Sequence, residues 1–255
     1  MKQGDFTELA KQYINRPAYS QKLLEDLLKV MDYAQKKSSF QIVEVGAGTG
    51  KLTKMLLEMG LSVIAVEPND AMREEGILYT KEFKNVTWLK GSGEETNVAS
   101  KSADWVVMAS SFHWTDPKKS LPEFAKILKD DGYFTAIWNP RNIQISELHT
   151  NIESKIKMIV PELQRVSSGS QSTKQWEYVL TETGDFKECL FMETDYLEIM
   201  SKERYLGAWH SVNDIQSQAG QERWQKILTM INKEIEALAA IEVPYKIRAW
   251  TAKKV

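Results

Sequence analysis

The chain has 255 residues, 42% apolar and 27% charged, with a formal net charge of −2, which suits one α/β domain with an insertion or at most two small domains. So even a balance offers no long-range attraction for nucleic acid or an anionic membrane. The single cysteine, Cys189, excludes an internal disulfide or a thiolate metal cluster, and no apolar run nears transmembrane length; both point to a reducing, cytoplasmic setting.

Residues 6–33 read as helical through Leu9, Tyr13, Leu23, Leu24, Leu27, Leu28 and Met31, with Pro17 dividing the segment. Phe40, Ile42, Val43 and Val45 then predict a buried strand that breaks into Gly46, Gly48 and Gly50. An amphipathic helix follows (Leu52, Met55, Leu56, Met59) and stops at Gly60. Strand, glycine turn and helix N-terminus together make a nucleotide cradle.

The residues around that turn separate the ligand classes. A P-loop needs G-x-x-x-x-G-K-[ST], and here Val45 and Leu52 break it. A dinucleotide fingerprint needs a third glycine where Lys51 stands. What remains is E-V-G-x-G-x-G. Glu44 beside the turn repels a pyrophosphate but accepts hydrogen bonds from an ammonium, which favours a ligand with a cationic end and no phosphates.

A second strand, Ser62-Val-Ile-Ala-Val-Glu67, ends in a carboxylate, and Asn69 caps the next helix, which contains Met72 and is weakened at Gly76. An acid about twenty residues past the glycine turn suits two ribose hydroxyls, so Glu67 is assigned that role. A third strand, Val86–Leu89, leads to Gly91-Ser-Gly-Glu94-Glu95; a fourth, Ala103–Ala109, leads to Ser110-Ser-Phe-His113-Trp114-Thr-Asp116. Loops at strand carboxyl ends face ligand in open α/β sheets. His113 is the candidate there to accept a proton from a hydroxyl or amine, or to hold a carboxylate as an imidazolium, with Phe112 and Trp114 as apolar walls.

A helix is expected over 118–129, a turn at Asp131-Gly132 and a fifth strand over 133–138. Asn139-Pro-Arg-Asn142 then leaves the sheet as a loop with Asn139 as a substrate contact. It lacks the stacking aromatic of a DNA amino-methyltransferase loop. Beyond 143 the βα alternation lapses. A helix is expected from Ile145 to Pro161, a mobile stretch at 165–175, a strand at 189–197, a helix near 202–212, one amphipathic helix over 214–238 and a final strand from Ile241.

The glycine turn resembles motif I of the class I S-adenosylmethionine-dependent methyltransferases. Tyr13-Ile-Asn-Arg16-Pro17-Ala-Tyr19 resembles the Y-x-x-x-R-P-x-Y arm of many small-molecule members. His113-Trp114-Thr-Asp116 resembles the H-W-x-D loop of the trans-aconitate and juvenile-hormone-acid branch. The resemblance implies a Rossmann-like seven-stranded, mostly parallel sheet with an antiparallel last strand, an N-terminal helical arm and an inserted α/β substrate lid. Its boundaries would be an arm at 1–35, a core at 36–142, a lid at 143–212 with a core strand near 187–197, and a C-terminal helix and strand at 213–255.

It also implies S-adenosylmethionine held by Tyr13, Arg16, Glu44, Gly46, Ala47, Gly48, Glu67, Pro68, Met72, Ser92, Gly93, Glu94, Ala109 and Ser110. The small-molecule substrate would meet Phe112, His113, Trp114, Asn139, Trp209 and His210, and His113 would be catalytic. Gly93 stands where the family usually has alanine. No metal, nucleic acid or membrane is expected, and the chain would act as a monomer or homodimer. O-methylation of a carboxylate or hydroxyl is the expected reaction, with N- or C-methylation, or cofactor binding without turnover, as alternatives.

Overall fold

A computed structural model describes residues 7–37, 39–165 and 173–255. Seven strands, β1 (Gln41–Val45), β2 (Ser62–Val66), β3 (Val86–Leu89), β4 (Ala103–Ala109), β5 (Leu128–Trp138), β6 (Phe186–Met200) and β7 (Ile241–Lys254), form one sheet in the order β3-β2-β1-β4-β5-β7-β6. β1 pairs in parallel with β2 and β4, as do β2 with β3 and β4 with β5, whereas β7 runs antiparallel to β5. The order reverses at β1 and β4. Parallel strands leave a crevice at their carboxyl ends at such a point, since the flanking connections depart to opposite faces.

The helices are α1 (Ala10–Tyr13), α2 (Gln21–Val30), α3 (Tyr33–Lys36), α4 (Lys51–Glu58), α5 (Asp70–Tyr79), α6 (Pro117–Ile127), α7 (Glu147–Ile159), α8 (Thr173–Thr181), α9 (Lys202–His210) and α10 (Asn213–Ile235). Side-chain caps start several of them: Ser20 accepts from Leu23 N, Asn69 from Met72 N, Asp116 from Lys118 N and Ser201 from Arg204 N. Each cap satisfies a backbone donor that the first helical turn leaves unpaired.

Two compact units result. Among the described residues, the sheet unit comprises residues 18–37, 39–138, 173–194 and 247–255, and the helical unit residues 7–17, 139–165 and 195–246. In the sheet unit, Val43, Val45, Val106, Phe134, Trp138 and Trp250 belong to one buried cluster. Trp138 stacks on Trp176 at 4.6 Å and meets Trp250 edge-on at 5.4 Å. In the helical unit, Ile152 and Ile156 on α7 and Trp224, Ile227, Ile231 and Ile235 on α10 are buried. Arg165 ties α7 to α10, reaching Glu153 at 2.9 Å and Asp214 at 3.0 Å.

Five expectations change. Helix α6 ends at Ile127 rather than at 129, because Leu128 is buried and pairs with Ala103 as the start of β5. The expected turn at Asp131-Gly132 lies inside β5 as a bulge, with Asp131 at φ +66° and the register jumping to Trp105↔Tyr133. The C-terminal helix is kinked at Gly220, whose φ of 71° and ψ of 168° are not helical. Residues 166–172 lie outside the described residues, and Thr173–Gln175, expected in a mobile stretch, open α8. Residues 213–246, grouped by sequence with the core, fall in the helical unit, while α8 falls in the sheet unit. Periodicity marks the apolar face of a helix but not the surface that face will cover.

Candidate active site

The glycine turn is a backbone structure with little tolerance for a side chain. Gly46 (φ +68°), Gly48 (φ +58°) and Gly50 (φ +77°) all occupy the left-handed region. Gly46 N and Ala47 N both donate to Val66 O, at 2.8 and 3.0 Å, which pins the turn to the end of β2. A Cβ on Gly46 would lie 2.7 Å from both Cβ and Oγ of Ser111. Gly48 faces only the Met72 methyl at ordinary contact distance. The turn is therefore squeezed from the β4 side and open above Gly48.

Glu67 closes the second side. Its Oε2 accepts from Gly48 N at 2.9 Å and its Oε1 from Asn69 N at 2.9 Å, while Arg73 donates to its backbone oxygen at 3.0 Å. Burial raises its pKa, opposed by those two backbone donors. A carboxylate oxygen has room for about two hydrogen bonds, so each retains an acceptor position for a hydroxyl. That is the donor set a ribose supplies.

Glu44 differs from the expected carboxylate. It is 1% exposed, its Oε2 accepts from Thr53 Oγ1 at 2.5 Å, and burial pushes its pKa up to about 8. Among the described residues no cation offsets its loss of water, which favours the protonated acid near neutral pH.

The loops after β3 and β4 complete the crevice. Ser92 Oγ accepts from the backbone of Glu94 and Glu95, each at 3.2 Å, and Glu94 Oε1 accepts from Asp116 N at 2.9 Å. A Cβ on Gly93, where the family usually has alanine, would come within 2.5 Å of Thr115 Cγ2, so an alanine here would need that side chain to shift. Pro68 is exposed and Ala109 half-buried. Ser110, a non-glycine residue at φ +54°, is held by Ser110 N donating to Ile137 O at 2.7 Å and by the Tyr19 hydroxyl 3.0 Å from its Oγ. Strain of this kind gathers at ligand sites.

Phe112, His113 and Trp114 form one turn of 3-10 helix and have three different fates. Phe112 is fully buried, 5.1 Å from the Phe134 ring and 5.4 Å from Trp176, so the substrate wall expected of it is corrected to a core contact. Trp114 is 50% exposed beside the His113 ring at 4.9 Å. His113 Nδ1 accepts the indole N–H of Trp138 at 3.2 Å. An indole nitrogen only donates, so Nδ1 carries no proton. Burial lowers the His113 pKa to about 4, leaving the ring neutral with its one proton on Nε2. His113 is thus a neutral hydrogen-bond donor at Nε2, and its expected roles as a proton-accepting base and as an imidazolium are both corrected.

The other candidates lie in the helical unit. Arg16 stacks 4.9 Å from the Tyr13 ring centroid and donates from Nη2 to Ser211 O at 2.9 Å. Trp209, expected at the substrate, is 2% exposed under the Arg141 guanidinium at 4.2 Å. His210 is exposed, edge-on to Trp224 at 6.3 Å, and Asn139 is half-buried. Two residues of the crevice were missed. Tyr19 occupies the last position of the Tyr13–Tyr19 motif and was legible there. Trp138 ends a strand 25 residues from His113, and no local pattern links them.

A reversal-point crevice with a glycine cradle and a hydroxyl-gripping acid defines a nucleoside-binding α/β fold. Residues 43–136 match the profile of a family described as a methyltransferase domain. An uncharacterized methyltransferase of Mycobacterium tuberculosis is 33% identical over 127 residues, 50% of this chain and 48% of that one. A Saccharomyces cerevisiae protein described as a probable S-adenosylmethionine-dependent methyltransferase is 28% identical over 127 residues, 48% of this chain and 42% of that one. The chain thus spans about half the length of the curated relatives it matches. A solved structure described as a candidate type II methyltransferase, from Anaeromyxobacter dehalogenans, shares the fold at TM-score 0.64 and 17% identity, covering 93% of this chain and 97% of that one. Residues 43–136 therefore carry a methyltransferase domain, and S-adenosylmethionine is the cofactor named for the yeast relative.

The crevice fits that cofactor: bare glycine backbone leaves space, and Glu67 keeps two acceptor positions for a sugar. Among the described residues no group of three or more His, Cys, Asp or Glu side chains is arranged to hold a metal ion, and no helix is long and apolar enough to cross a membrane.

Proposed function

We propose that the protein transfers a methyl group from S-adenosylmethionine to an oxygen of a small molecule, and that this oxygen arrives already anionic, as a carboxylate. The observation that carries the reading is the Trp138–His113 hydrogen bond at 3.2 Å. A histidine with its proton on Nε2 holds an acceptor oxygen in place but takes no proton from it. A carboxylate needs no base, whereas an alcohol or ammonium does. The bound cofactor supplies a methyl group already activated by the positive charge on sulfur. The chain's own residues have the remaining work of orientation and exclusion of water. His113 orients the acceptor oxygen, Trp114 covers it with an aromatic face, and Glu67 fixes the nucleoside end.

The even charge balance supports a small acceptor over nucleic acid or a membrane surface, and the lone cysteine supports a cytoplasmic setting. The test measures methyl transfer from labelled S-adenosylmethionine to a panel of carboxylic acids, phenols and amines, with pH profiles. For an acid acceptor, kcat/KM is expected to be flat from about pH 5 to 7, above the titration of His113 and below that of Glu44. His113→Ala should lose turnover while keeping S-adenosylhomocysteine affinity. Turnover confined to amines, or a basic limb that vanishes in His113→Ala, would sink the reading.

A further inference from the structure

The helical unit contains a second polar centre for which its internal packing gives no use. His149 on α7 is 1% exposed; Ser146 Oγ engages its Nδ1 at 2.7 Å, and its buried Nε2 has no hydrogen-bond partner. Tyr205 on α9 is 2% exposed and stands edge-on to the His149 ring at 5.8 Å. Its hydroxyl is also buried without a partner of hydrogen-bond geometry, although the Trp209 indole leans on it. Arg16 Nε is a third such atom. Native interiors rarely strand polar groups in this way, and where they do, a ligand or water normally completes them.

Arg141 supplies the charge. Its guanidinium lies 4.2 Å over Trp209 and 3.9 Å from Glu153, too far for a hydrogen bond. Both Glu153 oxygens are already taken by Arg165 at 2.9 Å. Arg141 acts electrostatically on His149, Tyr205 and Tyr245, and Arg16 acts on Tyr245 as well. Among the described residues Arg141 therefore makes no hydrogen-bonded ion pair, because Glu153, the carboxylate nearest it, is held by Arg165.

We propose that Arg141, His149 and Tyr205 form an oxyanion-binding site in the helical unit whose ligand is the carboxylate of a small organic acid. A planar guanidinium matches a carboxylate's two oxygens, and a phenol and an imidazole N–H are the remaining donors such a group needs. A cation would be repelled, and an apolar group would leave the stranded atoms unsatisfied. Identifying that acid as the methyl acceptor, or as a second acidic group on it, rests on the proposed function above; the binding site does not.

The test is calorimetric titration of the full chain with succinate, benzoate and inorganic phosphate, with S-adenosylhomocysteine titrated separately. At least one of the two acids is expected to bind, about tenfold more weakly in Arg141→Gln and in Tyr205→Phe. Cofactor-product affinity should be unchanged in both variants. Tyr205→Phe deletes a hydroxyl that the protein does not satisfy, so its Tm should equal or exceed that of the parent. The proposal is overturned if neither acid binds, if phosphate alone binds, or if both variants bind as the parent does. A lowered Tm in Tyr205→Phe would also overturn it, because that hydroxyl would then be satisfied by a buried water. Acid binding without S-adenosylhomocysteine binding would sink the methyl-transfer reading and leave this site standing.

Discussion

Gly46→Ala is the sharpest test of the cradle. At φ +68° an alanine pays about 1–2 kcal/mol for the left-handed backbone. Its Cβ would also stand 2.7 Å from Ser111 Cβ and Oγ, and Ser111 is itself tied to Val45 O at 3.2 Å. Overpacking of this kind costs about 1–3 kcal/mol. The two together come to about 2–5 kcal/mol, or a fall in Tm of roughly 5–15 °C for a chain this size. Because the strained turn is also the cofactor's floor, affinity for S-adenosylhomocysteine should drop by about tenfold or more.

The assay is a thermal melt with and without S-adenosylhomocysteine, plus titration calorimetry. The double variant Gly46→Ala/Ser111→Gly removes the obstructing Cβ and should recover the contact share of the loss, leaving the backbone share. If Gly46→Ala melts within about 1 °C of the parent and binds equally well, the cradle argument is wrong. If Ser111→Gly recovers nothing, the contact with the β4 loop is not the cause.

Two further outcomes are expected. Glu44, with its pKa raised to about 8 by burial, favours folding while protonated; its contribution is complete below its ordinary value of 4.5 and is lost as pH rises through 8. Glu44→Gln keeps an oxygen for Thr53, so its Tm should fall less than the parent's between about pH 5 and 8.5, and parallel curves would mean that Glu44 titrates normally. Gly76→Ala should destabilise by about 1–3 kcal/mol in urea, although alanine favours a helix, because its Cβ would overlap the Trp88 ring. Trp88→Leu in the same chain should remove the penalty, and an unchanged midpoint in the single variant would refute the packing reading.

The local chemistry of this protein was legible in its sequence. Glycines 46, 48 and 50 announced a turn that only small residues can make, the spacing to Glu67 announced an acid at the end of the next strand, and both stand where expected. Local patterns carry such information because backbone conformation and strand alternation depend on neighbouring residues.

Tertiary structure alone decided the rest. Phe112, His113 and Trp114 are consecutive and read alike, yet one is core, one is held by Trp138 and one is exposed. Glu44 reads as a carboxylate, but burial pushes its pKa up to about 8. Arg141, His149 and Tyr205 come from three separate stretches of chain and carry no shared motif. Burial, tautomer and protonation are set by groups brought close only on folding, which sequence spacing does not encode.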